Sequence, residues 1–232
     1  MELCIALDLP SIKKNIALAE SIESYDVWLK VGFRAYIRDG KPLIESLKKI
    51  NPNFKIFLDL KLYDIPNTMA DASEEIASLG IDMFNIHASA GEQAMKMTMD
   101  RLSKYKNRPK VIAVTALTSF DNKSFDKIYG DTISNKATQF AKISYESGLD
   151  GVVCSVFESM DIKNNTSKEF LTVCPGIRPF GESAGDQQRV ATLGMAQQEQ
   201  SDIIVVGRPI YNSDNPSETT HKILDMIDIF NK

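Results

Sequence analysis

The sequence lacks several features that would point to particular classes of protein. Its 27 Lys and Arg residues are outnumbered by 31 Asp and Glu residues among 232, so it has no basic excess to attract nucleic acid or anionic membranes. No apolar run approaches the roughly 20 residues that a membrane-spanning helix needs. The first residues carry no basic segment and no cleavage site, so no signal peptide is predicted. We therefore expect a cytoplasmic protein with neither a nucleic-acid nor a membrane partner.

Cysteine and histidine are also scarce. The three cysteines, Cys4, Cys154 and Cys174, are far apart in the sequence and include no CxxC pair. They are typical of reduced, buried side chains, and they offer no zinc site. The two histidines, His87 and His221, do not have a metal-ligand spacing. The chain also lacks a Gly-rich dinucleotide fingerprint and a Walker loop, which excludes these two common kinds of cofactor site.

Short apolar runs alternate with amphipathic segments along the whole chain, without a linker or a low-complexity tract. The runs predict eight strands, at Leu3–Leu7, Val27–Val31, Lys55–Leu60, Met83–His87, Val111–Thr115, Gly151–Cys154, Leu171–Cys174 and Ile203–Val206. Helical patterns lie between several of them, at Met69–Leu79, Gln93–Tyr105 and Thr132–Ser147. Strands that alternate with helices form right-handed βαβ units and a parallel sheet. We predict a (β/α)8 TIM barrel, a single domain over residues 1–232, with an open doubly wound sheet as the alternative.

Polar side chains follow most of the predicted strands. They are Asp8, Lys30, Asp59 with Lys61, His87, Thr115 with Thr118, the run 175–178, and Gly207 with Arg208. In a barrel these residues gather at one rim, where this fold places its functional side chains. Any one of them could be a surface residue, and His87 alone is more typical of a hydrogen-bonded core histidine. The whole set at one rim is hard to explain by packing, so we predict a functional site there.

The third predicted strand ends in the most informative charges. Side chains alternate along a strand, so Asp59 and Lys61 are predicted to share one face. Asp64 follows on the connecting loop, and Pro66 can open the next helix. A plain salt bridge that caps the strand is the alternative interpretation. Asp8, Asp59 and Asp64 could bind Mg²⁺, but the lysines interleaved with them disfavour a cation, so no metal site is predicted.

Two segments are typical of phosphate binding. Gly207 and Arg208 follow the eighth predicted strand, where barrel enzymes often bind phosphate through backbone N–H groups. The guanidinium of Arg208 adds a fork of donors that suits phosphate oxygens. The runs 176–178 and 185–187 supply further donors after the seventh strand. A glycine turn beside a surface arginine is the alternative interpretation.

Taken together, these segments resemble the orotidine 5′-phosphate decarboxylase family, and its bacterial form in particular. The most specific match is the run from Asp59 to Thr68, which is similar to the family signature DxKxxDIPNT. Supporting matches lie at residues 29–32, 115–119, 174–179 and 185–187. The chain departs from the family at residues 191–194, Ala-Thr-Leu-Gly, where a Thr-Pro pair is usual. The resemblance covers nearly the whole chain.

The resemblance implies a reaction and the residues that carry it. The reaction is the decarboxylation of orotidine 5′-phosphate to UMP, in de novo pyrimidine biosynthesis and without a cofactor. The alternating array of Lys30, Asp59, Lys61 and Asp64 would be catalytic. Lys61 would lie beside C6 of the pyrimidine, stabilise the carbanion that remains after CO₂ leaves, and protonate it. The aspartates would keep both lysines charged.

The resemblance also implies binding roles and an assembly. The binding residues would be Asp8 and Lys30 for the ribose, Thr118 for the pyrimidine ring, and Gln187, Gly207, Arg208 and Arg178 for the phosphate, with Arg178 closing over it. The active unit would be a homodimer with shared active sites. Asp64, Ile65 and Thr68 of one subunit would reach into the site of the other, and His87 would have a supporting role.

Two other functions remain open from the sequence. One is a related barrel enzyme, such as a hexulose-phosphate synthase or a keto-gulonate phosphate decarboxylase, which shares a DxK pattern but uses Mg²⁺. The Asp-Ile-Pro-Asn-Thr run at residues 64–68 favours the orotidine interpretation over this one. The other is a catalytically silent barrel that binds a phosphorylated ligand. All four charged residues of the array are present, which disfavours a silent protein.

Overall fold

Eight parallel strands form a closed barrel. The computed structural model describes residues 1–182 and 189–231. The strands are β1 (Glu2–Ala6), β2 (Trp28–Gly32), β3 (Lys55–Leu62), β4 (Met83–His87), β5 (Lys110–Val114), β6 (Gly151–Val153), β7 (Leu171–Cys174) and β8 (Ile203–Val206). Each strand pairs with the next, and β8 pairs with β1. The predicted TIM barrel is confirmed, each predicted strand lies within two residues of an observed one at both ends, and the doubly wound alternative is wrong.

Ten α-helices of the described residues lie among the strands in the chain. They are α1 (Ile12–Ser21), α2 (Phe33–Ile50), α3 (Pro66–Ala77), α4 (Glu92–Leu102), α5 (Asn122–Tyr129), α6 (Ile133–Glu146), α7 (Val156–Asn165), α8 (Leu193–Gln198), α9 (Arg208–Tyr211) and α10 (Pro216–Phe230). The three predicted helices are confirmed as α3, α4 and α6. Pro66 stands in the first turn of α3, where its missing N–H group costs nothing. The Thr132 side chain caps α6, and Thr192 caps α8 at the segment that departs from the family pattern.

The barrel interior is filled by alternate residues of the strands. This inner cluster consists of Cys4, Ala6, Trp28, Phe57, Met83, Ile112, Val173, Ile203 and Val205, with a separate and larger apolar layer between the strands and the helices. Inward positions recur every second residue. On β2, β3 and β4 the next inward position toward the carboxyl end is polar: Lys30 follows Trp28, Asp59 follows Phe57 and Asn85 follows Met83. The polar site lies directly on top of the packed core.

The regular alternation of β3 ends at a bulge. Leu58 pairs with Phe84 and Leu62 with Ile86, so four residue steps along β3 correspond to two along β4. Lys61 lies within this bulge and has a φ of 49°, which is uncommon for a residue other than glycine. The regular alternation from which Asp59 and Lys61 were predicted to share one face is interrupted between Leu58 and Leu62. Bulges near active sites re-aim side chains, and here the Lys61 side chain still faces Asp59.

The three cysteines agree with the sequence prediction. Cys4, Cys154 and Cys174 are buried free thiols. Burial raises the pKa of the Cys4 thiol far above its ordinary value, so it stays protonated. Within residues 1–182 and 189–231, no helix has both the length and the apolar composition required to cross a membrane.

Candidate active site

A cavity of about 370 Å³ opens at the carboxyl ends of the strands. Eight of the predicted site residues line it: Asp8, Lys30, Asp59, Lys61, Thr118, Arg178, Gly207 and Arg208. They come from strands, or from the segments that follow strands, on several sides of the barrel. The volume of the cavity is in the range of binding sites for small organic ligands. The structure therefore brings together side chains that are up to 200 residues apart in the sequence.

The charged side chains of β2 and β3, together with Asp8 after β1, form a continuous array in this cavity. The Nζ of Lys30 lies 3.3 Å from Oδ1 of Asp8 and 3.4 Å from Oδ2 of Asp59. The Nζ of Lys61 lies 2.6 Å from Oδ1 of Asp59. The order in space is Asp8, Lys30, Asp59, Lys61, so positive and negative charges alternate. The alternative interpretation, a salt bridge that only caps a strand, would need two charged groups, whereas this array contains four.

Burial and the neighbouring charges act in opposite directions on the two central groups. Burial alone would lower the pKa of Lys30, but the carboxylates of Asp59 and Asp8 outweigh it, so that pKa is raised. Burial alone would raise the pKa of Asp59, but Lys30, Lys61 and hydrogen bonds from Lys61 and Asn85 outweigh it, so that pKa is lowered. Both groups are therefore charged at neutral pH, in a site largely shielded from solvent.

Asn85 on β4 belongs to the same cluster, and the sequence analysis missed it. Its side chain is fully buried. Its Oδ1 accepts a hydrogen bond from the backbone N–H of Lys61 at 2.7 Å, and its Nδ2 donates to Oδ1 of Asp59 at 2.7 Å. The signal that could have identified it is a polar amide in the middle of an otherwise apolar strand. Tyr211, at the end of α9, also lines the cavity and carried no such signal.

The segments after β7 and β8 form another part of the cavity wall. Gly207 approaches its neighbours closely: a Cβ atom there would lie 3.3 Å from Cε1 of Tyr211 and 3.4 Å from Cβ of Ala6. A larger residue at this position would have to displace its neighbours. Arg178 is buried, and its Nη1 donates to the carbonyl oxygen of Ile177 at 3.0 Å. The predicted phosphate ligand Gln187, with the rest of the 185–187 run, lies outside the described residues.

Three predicted site residues do not line this cavity. Asp64, Ile65 and Thr68 follow β3, and Asp64 and Thr68 border a separate depression that Lys61, Phe33 and Tyr63 also border. Asp64 is exposed, and its Oδ1 accepts the backbone N–H of Ile65 at 2.7 Å. Lys61 borders both this depression and the cavity, whereas Asp64 and Thr68 border only the depression.

Large apolar side chains are exposed beside Asp64. Phe33 and Tyr63, which border the same depression as Asp64, are 51% and 66% exposed, and the adjacent Ile65 is 66% exposed. An apolar side chain gains stability when it is removed from water, and a cluster of exposed ones is typical of a surface that another molecule covers. The face that carries Asp64 therefore has the character of an interface.

His87 ends β4 and lies near the array without lining the cavity. Its Nδ1 accepts a hydrogen bond from the backbone N–H of Ser89, and its ring lies 5.7 Å from that of Tyr63. Burial, together with the charge of Lys61, lowers the pKa of His87, so it is neutral at neutral pH. In the described part of the chain, no group of three or more His, Cys, Asp or Glu side chains is arranged to hold a metal ion.

A closed (β/α)8 barrel with a charged cavity at the carboxyl ends of its strands has the architecture of an enzyme. Comparison with known families identifies which one. Residues 1–223 match the model of the orotidine 5′-phosphate decarboxylase / HUMPS family, and the chain belongs to that family. Within the family, its sequence is of the orotidine 5′-phosphate decarboxylase type.

Individual relatives match over almost the whole chain. The orotidine 5′-phosphate decarboxylase of a Sulfurovum species is 68% identical over 230 residues, which cover 99% of this chain and 100% of that protein. The orotidine 5′-phosphate decarboxylase of Sulfurimonas denitrificans is 64% identical over 227 residues, which cover 98% of this chain and 100% of that protein. The crystal structure of orotidine 5′-phosphate decarboxylase from Lactobacillus acidophilus superposes with a TM-score of 0.83 at 34% identity, covering 97% of both chains.

Proposed function

We propose that the chain decarboxylates orotidine 5′-phosphate to UMP, as a cytoplasmic enzyme of pyrimidine biosynthesis that uses neither a metal ion nor an organic cofactor. The observation that carries this proposal is the array of Asp8, Lys30, Asp59 and Lys61 inside one cavity. Family membership supports the substrate, and the sequence identity to the curated decarboxylases supports it further.

The chemistry requires an ammonium group at the reacting carbon. When the bond between C6 and the carboxylate breaks, its electron pair stays on C6 in the plane of the ring, where the π system cannot delocalise it. Preorganised charge must then stabilise the carbanion, and such charge is usually the largest catalytic contribution. In our proposal the Nζ of Lys61 lies beside C6, donates a proton to the carbanion and later regains one from solvent. Asp59 holds that Nζ in place at 2.6 Å.

The remaining cavity residues would bind the parts of the substrate that do not react. In our proposal Asp8 and Lys30 contact the ribose, and Thr118 contacts the pyrimidine ring. Gly207 and Arg208, with Arg178 and Gln187, hold the phosphate. The phosphate lies away from the bond that breaks, but its binding energy can order the site around the transition state.

The assembly we propose is a homodimer in which Asp64, Ile65 and Thr68 serve the partner's site. Two observations support it. These residues do not line the cavity of their own chain, and the exposed apolar side chains of Phe33 and Tyr63 border the same depression as Asp64 and Thr68. In a two-fold dimer the same face meets itself, so each subunit would complete the other.

The experiment that tests the activity is a spectrophotometric assay of orotidine 5′-phosphate consumption with the purified protein, run before and after treatment with EDTA. We expect UMP and CO₂ as products and the same rate in both conditions. Loss of activity with EDTA, restored by Mg²⁺, would favour the metal-dependent members of the family instead. No turnover of orotidine 5′-phosphate in either condition would contradict the proposed function.

Replacing Arg208 with alanine should weaken the binding of UMP by about 2–4 kcal/mol, because a charge-assisted hydrogen bond to phosphate is lost. Binding of uridine, which lacks the phosphate, should change little. Isothermal titration calorimetry with both ligands measures the two losses. The matched control is Arg101→Ala, because Arg101 is paired with Asp71 and Glu74 on the outside of the barrel. Equal losses for UMP and uridine would mean that Arg208 does not contact phosphate.

A further inference from the structure

We propose that Asn85 is a positioning residue for the decarboxylation: its side-chain amide fixes the Lys61 backbone and the Asp59 carboxylate relative to each other. The proposal rests on the proposed function, because it assigns Asn85 a task in placing Lys61 for the reaction. Asn85 does not line the cavity, so it is expected to act through these two neighbours and not on the substrate.

The hydrogen bonds of Asn85 define the orientation of its amide. Its oxygen accepts from the N–H of Lys61 and its nitrogen donates to Oδ1 of Asp59, both at 2.7 Å. The reverse orientation would point the amide oxygen at a carboxylate oxygen and the amide nitrogen at an N–H group, two repulsive contacts. Both ends of the amide are therefore used, and only an amide or an equivalent donor–acceptor pair can make this bridge.

The bulge in β3 explains why a side chain is needed at this point. In a regular parallel ladder, a backbone carbonyl of the neighbouring strand would accept the N–H of Lys61. At the bulge, the extra residues of β3 interrupt the ladder, and Oδ1 of Asn85 is the acceptor. Lys61 also has a positive φ, which the surrounding structure must hold in place. Asn85 supplies part of that restraint.

The same amide also restrains the carboxylate that holds the Lys61 ammonium. Oδ1 of Asp59 accepts from Nδ2 of Asn85 and from Nζ of Lys61 at 2.6 Å, while Oδ2 faces Lys30 at 3.4 Å. Without Asn85 the carboxylate could rotate about the Cβ–Cγ bond of Asp59, and the Lys61 ammonium would follow it. A displacement of about 1 Å at a reacting group can cost on the order of 100-fold in rate. Asn85 thus controls both the backbone and the side-chain partner of Lys61.

The first test uses Asn85→Ala and Asn85→Ser. We expect kcat to fall by about 10- to 100-fold in both, with KM and UMP affinity nearly unchanged, because the groups that bind substrate remain. Ser159→Ala is the matched control: it removes a buried hydrogen bond, of 2.8 Å to Thr172, away from the cavity. It should lower thermal stability without lowering kcat. Wild-type kcat in a folded Asn85→Ala variant would overturn the proposal.

The second test uses Asn85→Asp. This change keeps the size of the side chain, but a carboxyl group can donate a hydrogen bond to Asp59 only when it is protonated. The described titratable groups around this position are Asp59 and Lys61 on β3, Lys30 behind Asp59 and the neutral His87 on β4, whereas β5 presents the apolar Ile112. A deprotonated carboxyl would repel Asp59, and a protonated one would donate to it, so its pKa should be raised. We therefore expect kcat relative to the wild type to rise as pH falls. A ratio that does not vary with pH would overturn the proposal.

A third measurement separates this proposal from the proposed function. Amide hydrogen exchange, followed by NMR, should be faster at Lys61 in Asn85→Ala than in the wild type and unchanged at Leu58, which lies in the regular part of β3. Wild-type protein that does not turn over orotidine 5′-phosphate would contradict the function but leave this measurement valid. Unchanged exchange at Lys61 would overturn the bridge itself. The proposal would also be overturned if all three Asn85 variants failed to fold while Ser159→Ala folded, because Asn85 would then be needed for the stability of the core and not for positioning Lys61.

Discussion

Replacing Lys61 with alanine should reduce kcat for the decarboxylation of orotidine 5′-phosphate by more than roughly 10³-fold, because one change removes both the stabilising charge and the proton donor. The fold should persist. Lys61 lies at the rim with 28% of its side chain exposed, and Asp59 would keep Lys30 and Asn85 as partners. Single-turnover assays measure the rate, and thermal unfolding with UMP binding tests the integrity of the protein.

A control from the same strand distinguishes a catalytic effect from a general loss of positive charge. Lys55 begins β3, six residues from Lys61, and its Nζ pairs with Glu2 at the opposite end of the barrel. Lys55→Ala removes the same side chain about 20 Å from the reacting group, given the rise per residue of a strand. It should leave kcat unchanged. A Lys61→Ala enzyme that keeps a tenth of the wild-type kcat would remove Lys61 from the central role.

The barrel could be predicted because its determinants are local. Each strand is a short apolar run, and alternation of these runs with helical segments leaves few possible topologies. The grouping of Asp8, Lys30, Asp59 and Arg208 followed from the same reasoning, because each stands at the carboxyl end of a strand. Closure of the sheet then brings these residues together without any further information in the sequence.

The bulge and the Asn85 bridge could not be predicted in this way. A bulge depends on how many residues of β3 pair with β4, and nothing in the sequence of either strand gives that number. The polar amide in β4 could mark Asn85 as unusual, but it does not show which groups the amide joins. The positive φ of Lys61 follows from that pairing and carries no sequence signal, since lysine rarely adopts it. Asn85 became meaningful only when the structure placed its amide between Lys61 and Asp59.

The role of Asp64 is a different case, because one chain does not contain the partner that it would serve. The resemblance predicted that Asp64 reaches a neighbouring subunit. The structure of a single chain shows that Asp64 stands outside its own cavity, among exposed apolar residues such as Tyr63 and Ile65. These observations support the prediction, and mixing of subunits can test it.

Mixing inactive Lys61→Ala and Asp64→Ala homodimers should restore activity. In a mixed dimer, the Asp64→Ala chain keeps its own Lys61, and its Lys61→Ala partner donates an intact Asp64. That dimer has one complete site and one site with both defects. After random exchange of equal amounts, half of the dimers are mixed, so roughly a quarter of the wild-type activity should return, given two-fold symmetry.

The matched control for this experiment mixes Lys61→Ala with Asp59→Ala. Lys61 and Asp59 line the same cavity of the same chain, so every site in such a mixed dimer lacks one of them, and no activity should return. Exchange of subunits is confirmed in both mixtures by mass spectrometry of a labelled chain. If Asp64 acts within its own chain, the Lys61→Ala and Asp64→Ala mixture will be as inactive as this control. Exchange without recovery would therefore refute the shared site, because no mixed dimer would contain a complete one.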